Sequence, residues 1–259
     1  MERVRLAESG STARVGASDT LVVEAALELR AGNKPFAVLM RTPGHDHELV
    51  RGLLFAEGII ARDDPLDSLT VPEGLPAELR GHVVELGVSP PGAARSLLSS
   101  SSCGVCGKTA IADLDGRLSV CHSGLQVCAE QIAVLPERLR LAQTVFAATG
   151  GLHAAGAFDA GGELVAIRED VGRHNAVDKL VGWALLAGRV PCWQSILCVS
   201  GRLGFEIVQK AVAAGFAIVV AVSAPSSLAV DLAERYRITL CGFTRSQRFN
   251  VYSHSSRIV

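Results

Sequence analysis

Hydrophobic residues recur with two different periods along this chain, and the change of period divides it. Near the start, Val23-Glu24-Ala25-Ala26-Leu27-Glu28-Leu29-Arg30 approximates a period of two. Gly32-Asn33 follows, then Pro35-Phe36-Ala37-Val38-Leu39-Met40, so the pattern predicts a β-hairpin. Over 46–57 the apolar residues Leu49, Leu53, Leu54 and Phe55 fall at helical spacing, and Gly58 is a stop signal. His45-Asp46-His47-Glu48 just before it has metal-ligand residue types, but polar and acidic residues are ordinary at a helix start. The stretch 62–79 is rich in Pro and Asp and reads as loop, 82–88 reads as another strand, and Pro90-Pro91-Gly92 marks a break.

From Pro136 onward short apolar strands alternate with amphipathic helices. A helix is predicted over 136–148, with Pro136 in its first turn and Gly150-Gly151 as its end. Strands 152–158 and 163–168 flank the turn Asp159-Ala160-Gly161-Gly162. Helix 174–186, strand 195–199, helix 203–214, strand 216–222, helix 227–235 and strand 238–243 complete the series. The order α-β-β-α-β-α-β-α-β predicts a largely parallel sheet covered on both faces, an α/β fold. Two parts are therefore expected: a smaller N-terminal α+β region over 1–130 and an α/β domain over 131–259.

Composition narrows the class. Of 259 residues, 49% are hydrophobic and 20% charged, which is ordinary for a globular chain with a substantial core. The formal net charge of −1 argues against a protein that coats nucleic acid. The first ten residues have no apolar h-region, and runs such as Phe216-Ala217-Ile218-Val219-Val220-Ala221-Val222 are too short to span a bilayer. A cytoplasmic protein without membrane or nucleic-acid partners is expected. Its seven cysteines, an odd number, should then be mostly free thiols. Cys192, Cys198 and Cys241 lie in or beside apolar strand-like runs, and Cys192 and Cys198 read as small buried hydrophobes.

Ser99-Ser100-Ser101-Ser102-Cys103-Gly104-Val105-Cys106-Gly107-Lys108 fits neither period. Serines and glycines around two thiols contribute nothing to a core, so a loop over about 96–108 that presents Cys103 and Cys106 for reaction is expected. Three chemistries suit the pair. Zinc would need Cys121, His122 or Cys128 to complete the site, although six residues separate Cys121 from Cys128. A thioredoxin-type dithiol would need a preceding strand. Sulfur carriage as a persulfide needs an accessible nucleophilic thiolate, which Lys108 and nearby backbone N–H groups favour. The residues leave these three open.

The loops at the predicted strand ends share one character. They read Arg168-Glu169-Asp170-Val171-Gly172-Arg173-His174-Asn175, Ser200-Gly201-Arg202, Ser223-Ala224-Pro225-Ser226-Ser227 and Gly242-Phe243-Thr244-Arg245-Ser246-Gln247-Arg248. Ligands of such sheets bind at the carboxyl ends of strands, and guanidinium forks with backbone N–H groups suit phosphate oxygens. Capping by Ser and Asp, and ion pairing of Arg168, Arg173, His174 and Lys179 with Glu169, Asp170 and Asp178, are the alternative uses of these residues.

These blocks, with Cys103-Gly104-Val105-Cys106-Gly107, Thr149-Gly150-Gly151-Leu152-His153-Ala154-Ala155, Ala176-Val177-Asp178-Lys179 and Cys241-Gly242-Phe243, resemble those of the formate dehydrogenase accessory sulfurtransferases, FdhD, from about Val23 to the C-terminus. The resemblance implies a cytoplasmic sulfur carrier, with a zinc-stapled cofactor-binding chaperone or a dithiol oxidoreductase as the alternatives. Sulfur from a cysteine desulfurase would be loaded as a persulfide on Cys103, with Cys106 as partner. It would pass to the molybdenum (or tungsten) bis(molybdopterin guanine dinucleotide) cofactor before insertion into the formate dehydrogenase catalytic subunit. Cofactor contact is implied for Phe243, Thr244, Arg245, Ser246, Gln247 and Arg248, and at the other strand ends for Arg173, His174, Ser200, Gly201 and Arg202. A homodimer without a tightly bound metal of its own is also implied. The larger domain should resemble a cytidine deaminase scaffold. Deamination is not expected, because the helix starts His174-Asn175-Ala176 and Ser200-Gly201-Arg202-Leu203 lack the acid–base Glu and the cysteine ligands.

Overall fold

A computed structural model of the chain describes residues 2–6, 12–32, 34–64, 69–70, 72, 75–87 and 118–259. The expected thiol loop, with Cys103 and Cys106, lies outside the described residues.

Strands β1 (Glu2–Leu6) and β2 (Thr12–Gly16) form a separate antiparallel hairpin that the periodicity did not reveal. The predicted hairpin is present as β3 (Ala25–Ala31) and β4 (Lys34–Arg41), turning at Gly32 with φ 59°. With β5 (Leu69–Thr70) and β6 (Val83–Leu86) it makes a four-stranded sheet in the order β4-β3-β6-β5. Helix α1 (Asp46–Ala56) lays Leu49, Val50, Leu53 and Leu54 on this sheet against Leu27, Leu29 and Phe36. Its opposite stripe, Glu48 and Gly52, is left for another partner. Arg41, 1% exposed, ties the strand end to the helix start: Nε and Nη2 each donate to Asp46 at 2.9 Å.

The second sheet has the order β12-β11-β10-β9-β7-β8, with β7 (His153–Phe158), β8 (Leu164–Asp170), β9 (Ile196–Val199), β10 (Ile218–Ala221), β11 (Thr239–Arg245) and β12 (Arg248–Ser253). Only β9/β10 and β10/β11 pair in parallel; β7/β8, β7/β9 and β11/β12 are antiparallel. The sheet is thus mixed rather than largely parallel. The tight turn at Asp159–Gly162 forces β8 back along β7, and the next crossover seats β9 on the free side of β7. Strand β12 was not anticipated, because its exposed Arg248 and Asn250 interrupt the apolar pattern.

Helices α4 (Arg173–Leu186), α5 (Phe205–Ala214) and α6 (Ser227–Arg235) connect β8 to β9, β9 to β10 and β10 to β11. All three crossovers step the same way across the sheet, so a common right hand puts them on one face. Helix α2 (Ala129–Ala142) lies across β7 to β11 and is followed by the short α3 (Thr144–Thr149). The expected single helix starting at Pro136 is therefore corrected. Ile132, Leu135 and Leu139 form one buried stripe that begins ahead of the proline, and Pro136 sits inside the helix. Cys121, Leu125 and Val127 join the larger core, where Cys192, Cys198 and Cys241 are also buried. Burial in apolar surroundings raises the Cys192 and Cys241 thiols to about 12 and raises Cys198 as well, so none of these three suits nucleophilic work at neutral pH.

Helix α1 also packs its second stripe on α4, with the two backbones in contact. A Cβ on Gly52 would lie 1.9 Å from the Asp178 carbonyl oxygen, and one on Gly182 would lie 1.9 Å from that of Glu48. The smaller sheet, α1, the α4–α6 layer, the larger sheet and α2 therefore stack in sequence.

Candidate functional site

Strands β8, β9, β10 and β11 all point the same way, with β7 reversed among them, so their four C-terminal ends and the first residue of β7 share one edge. At that edge the Ser200 N–H donates to the Ala154 carbonyl at 3.0 Å, and the Ala154 N–H donates to Ser200 Oγ at 2.9 Å. These bonds extend the β7/β9 ladder one residue and aim the chain at Gly201. A Cβ on Gly201 would meet His153 Nδ1 at 3.6 Å and Arg173 Cβ at 3.9 Å, so three chain segments adjoin there. The loops after β9 and β10 run side by side, with Leu203 N–H donating to Ala224 O at 3.1 Å and Ser226 N–H to Leu203 O at 2.9 Å. Ser226 Oγ accepts the Ala229 N–H at 3.3 Å and is a helix cap.

The end of β11 departs from the sheet. Phe243 N–H donates to Ser223 O at 3.1 Å. Gly242 fits closely there, since a Cβ would meet Ser223 O, Pro225 and Tyr252 at 3.1 Å and oblige them to shift by a few tenths of an ångström. Phe243 itself has φ 53°, the left-handed region that a side chain disfavours, and is 45% exposed. A strained backbone that holds a large aromatic ring in solvent is characteristic of a binding surface. Thr244 is buried with Oγ1 unpartnered, and Arg245 pairs with Arg248 around the exposed turn Ser246-Gln247.

Charge on this edge is one-sided. Arg173, Arg202, Arg245 and Arg248 are exposed, and among the described residues none of their guanidiniums has a carboxylate or hydrogen-bond partner. The acid nearby, Glu206, receives His174 Nε2 at 2.8 Å. That bond, followed by the charges of His174, Lys210 and Arg173 against burial, holds the Glu206 carboxyl below its usual range. The pKa of His153 is lowered by burial first and then by the positive charge of Arg173 and His174. Sequence reasoning overlooked Glu206, since an acid in a first helical turn is a generic signal. His153, singled out in the sequence only as part of its block, stands beside Gly201 at this edge.

Most of the remaining Arg168–Lys179 block turns the other way, toward the N-terminal half. Arg168 forms a bidentate pair with Glu48, with Nη2 to Oε1 at 2.6 Å. Lys179, 1% exposed, reaches Asp170 at 2.7 Å and the Thr42 carbonyl at 2.8 Å. Asp170 accepts the Thr42 N–H at 3.1 Å, the Gly172 N–H at 2.8 Å and Asn175 Nδ2 at 2.9 Å. Asp178 is paired with buried Lys210 at 2.7 Å. The Asp178–Lys210 pair joins α4 to α5, whereas Arg168, Asp170 and Lys179 clamp the two halves together. Of the block, Arg173 and His174 face the strand-end edge.

Cys121 and Cys128, considered for zinc alongside Cys103 and Cys106, are employed separately. Cys121 is buried and accepts from Arg257 Nη2 at 3.6 Å, whereas Cys128 is the exposed N-cap residue of α2. Among the described residues there is no group of three His, Cys, Asp or Glu side chains disposed to hold a metal ion. No helix among them is long and apolar enough to cross a membrane.

The sequence model of the FdhD/NarQ family matches residues 22–259. The chain belongs to the FdhD/NarQ family. That match takes in both sheets and the strand-end edge, while the β1/β2 hairpin precedes it. A relative from Nocardia farcinica named sulfur carrier protein FdhD is 47% identical over 261 residues, covering 98% of this chain and 92% of its own. The protein of the same name from Sulfurisphaera tokodaii is 41% identical over 264 residues, covering 100% and 99%. A crystal structure described as a formate dehydrogenase accessory protein from Desulfotalea psychrophila has the same fold, with a TM-score of 0.74, 22% identity and coverage of 100% and 98%.

Proposed function

We propose that this chain is a sulfur carrier in the maturation of formate dehydrogenase, acting in the cytoplasm as a homodimer. The observation that carries the reading is the strand-end edge, where four unpaired guanidiniums and the exposed Phe243 ring stand together in a family whose relatives are named sulfur carriers. Guanidinium forks suit the phosphates of a guanine dinucleotide, and an exposed aromatic face suits its base. Arg173, Arg202, Arg245 and Arg248 would hold the bis(molybdopterin guanine dinucleotide) cofactor as substrate, with Phe243 under the guanine. Ser200 and Gly201 shape the floor, and His174 with Glu206 keeps α4 and α5 in place beside it.

Sulfur would arrive from a cysteine desulfurase. The Cys103 thiolate attacks the terminal sulfur of the donor persulfide, forming a new persulfide and releasing the donor thiolate. Delivery of that sulfur as hydrosulfide to the cofactor metal requires two electrons. The Cys106 thiolate supplies them by attacking the inner sulfur and closing a Cys103–Cys106 disulfide, which a cellular dithiol then reduces. The sulfurated cofactor passes to the formate dehydrogenase catalytic subunit.

The test is mass spectrometry after incubation with a cysteine desulfurase and cysteine. One added sulfur is expected on the peptide carrying Cys103 and Cys106, and none in the Cys103→Ala, Cys106→Ala double variant. Equal loading of that variant and the wild type would overturn the reading.

A further inference from the structure

On the opposite edge of the larger sheet, where β11 begins and β12 ends, lies a cavity of about 380 Å³. Its lining includes Cys121, His122, Arg237, His254, Ser256 and Arg257, and contains no carboxylate. Arg257 is only 8% exposed. Its Nη1 donates to Thr239 Oγ1 at 3.2 Å and its Nη2 to Cys121 Sγ at 3.6 Å, while its Nε is buried with no partner. Among the described residues no carboxylate lies within ion-pair distance of this guanidinium. The acid at this end, Glu234, is engaged by His254 Nε2 at 3.2 Å.

A guanidinium removed from water without a counter-ion is unfavourable, and buried charges are ordinarily paired. Here neither of its neutral partners compensates the charge. With His254 turned to Glu234, Arg237, Arg257 and His122 still leave the lining more basic than acidic, which makes that space attractive to an anion. Each terminal nitrogen of Arg257 carries two N–H groups and spends only one on Thr239 or Cys121, so the guanidinium that lines the cavity keeps donors for an oxyanion. The volume exceeds what an inorganic oxyanion needs and lies within the range of about 300–1,000 Å³ typical of small-molecule sites.

We propose that this cavity is a second, separate binding site for a small oxyanion, either free or as the phosphate or sulfate head of a small metabolite, seated on Arg257 next to the Cys121 thiol. Nothing in this proposal depends on the strand-end edge or on sulfur transfer.

Cys121 lines the cavity, so its alkylation reports occupancy, and the exposed Cys128 is an internal control. With iodoacetamide and mass spectrometry, inorganic phosphate or sulfate is expected to slow labelling of Cys121 several-fold relative to chloride at matched ionic strength, leaving Cys128 unchanged. Arg257→Met should abolish the protection, and in the absence of added anion it should be at least as stable as the wild type. Should that variant fail to fold, Arg237→Ala serves instead, with an expected loss of about ten-fold in apparent phosphate affinity. Replacing phosphate by glycerol phosphate separates the two sources: stronger protection marks a metabolite head, equal protection a free ion. Cys121 labelling indifferent to phosphate and sulfate would overturn the proposal. So would protection that survives Arg257→Met, or that is lost instead in Arg173→Ala and Arg248→Ala.

Discussion

Gly182→Ala tests the contact that joins the two halves of the molecule. The added Cβ would sit 1.9 Å from the Glu48 carbonyl oxygen and 2.5 Å from its carbon, both of them backbone atoms that no rotamer change can move. An ordinary carbon–oxygen approach is about 3.3 Å, so α1 and α4 must part by about 1.4 Å. A radial gap of about 1 Å already forfeits up to half of each contact along an interface. Over-packing of side chains costs about 1–3 kcal/mol, and a backbone obstacle belongs at or beyond the top of that range. Alanine's better helix propensity returns about 1 kcal/mol. The net loss should be about 2 kcal/mol, or about 4–8 °C in melting temperature for a chain of this size. The assay is urea or thermal unfolding followed by circular dichroism. Gly16→Ala, where a Cβ meets nothing within 4 Å, is the control and should stay within about 0.5 kcal/mol. The sign decides the matter: a Gly182→Ala protein as stable as wild type, or more stable, would mean that the helix backbones do not touch.

Three further outcomes follow from the geometry. GDP should bind the strand-end edge, and Arg173→Ala or Arg248→Ala should each weaken it by about 1.5–3 kcal/mol, roughly 10–150-fold by calorimetry, whereas indifference to both would remove that edge as the site. His153 is held below its ordinary pKa, so folding stability is full above the unfolded value near 6.5 and falls as pH drops through the folded value. GDP phosphates near Arg173 should move that titration upward, and an NMR titration of His153 unchanged by GDP would contradict the placement. Glu48→Ala should cost about 3 kcal/mol, because Arg168, 13% exposed, keeps its charge without its partner. The Glu48→Met, Arg168→Met double variant should recover most of this in a double-mutant cycle, and a single variant without effect would show that the pair bears no weight.

The larger unit was legible because each crossover helix and each core strand bears its own signal. Ile196–Val199 and Ile218–Ala221 are buried throughout, as their unbroken apolar runs require, and Ser227–Arg235 starts at a serine cap as read. Errors arose where pattern and partner diverge. Strand β12 lacks an apolar run because Arg248 and Asn250 meet solvent, and Pro136 looked like a helix start because a proline inside a helix is costly in isolation. The basic strand-end loops were legible as residue types, but the same types at Arg168, Lys179 and Asp170 proved to clamp the larger sheet to the N-terminal elements. Their partners Glu48 and Thr42 lie more than a hundred residues away.

By itself the sequence determined the alternation of elements, the burial of Cys192 and Cys198, the loops at the strand ends and the resemblance that points to family membership. All of these depend on interactions within a few residues or on motifs preserved as strings. Only the tertiary structure decided which arginines remain unpaired, that Gly52 and Gly182 bring two helices into backbone contact, and that Arg257 meets Cys121 beside a cavity. A charge has no fixed meaning in one dimension. Whether it clamps, binds or waits for a counter-ion is set by which distant carboxylate the fold carries to it and how much water the fold leaves around it.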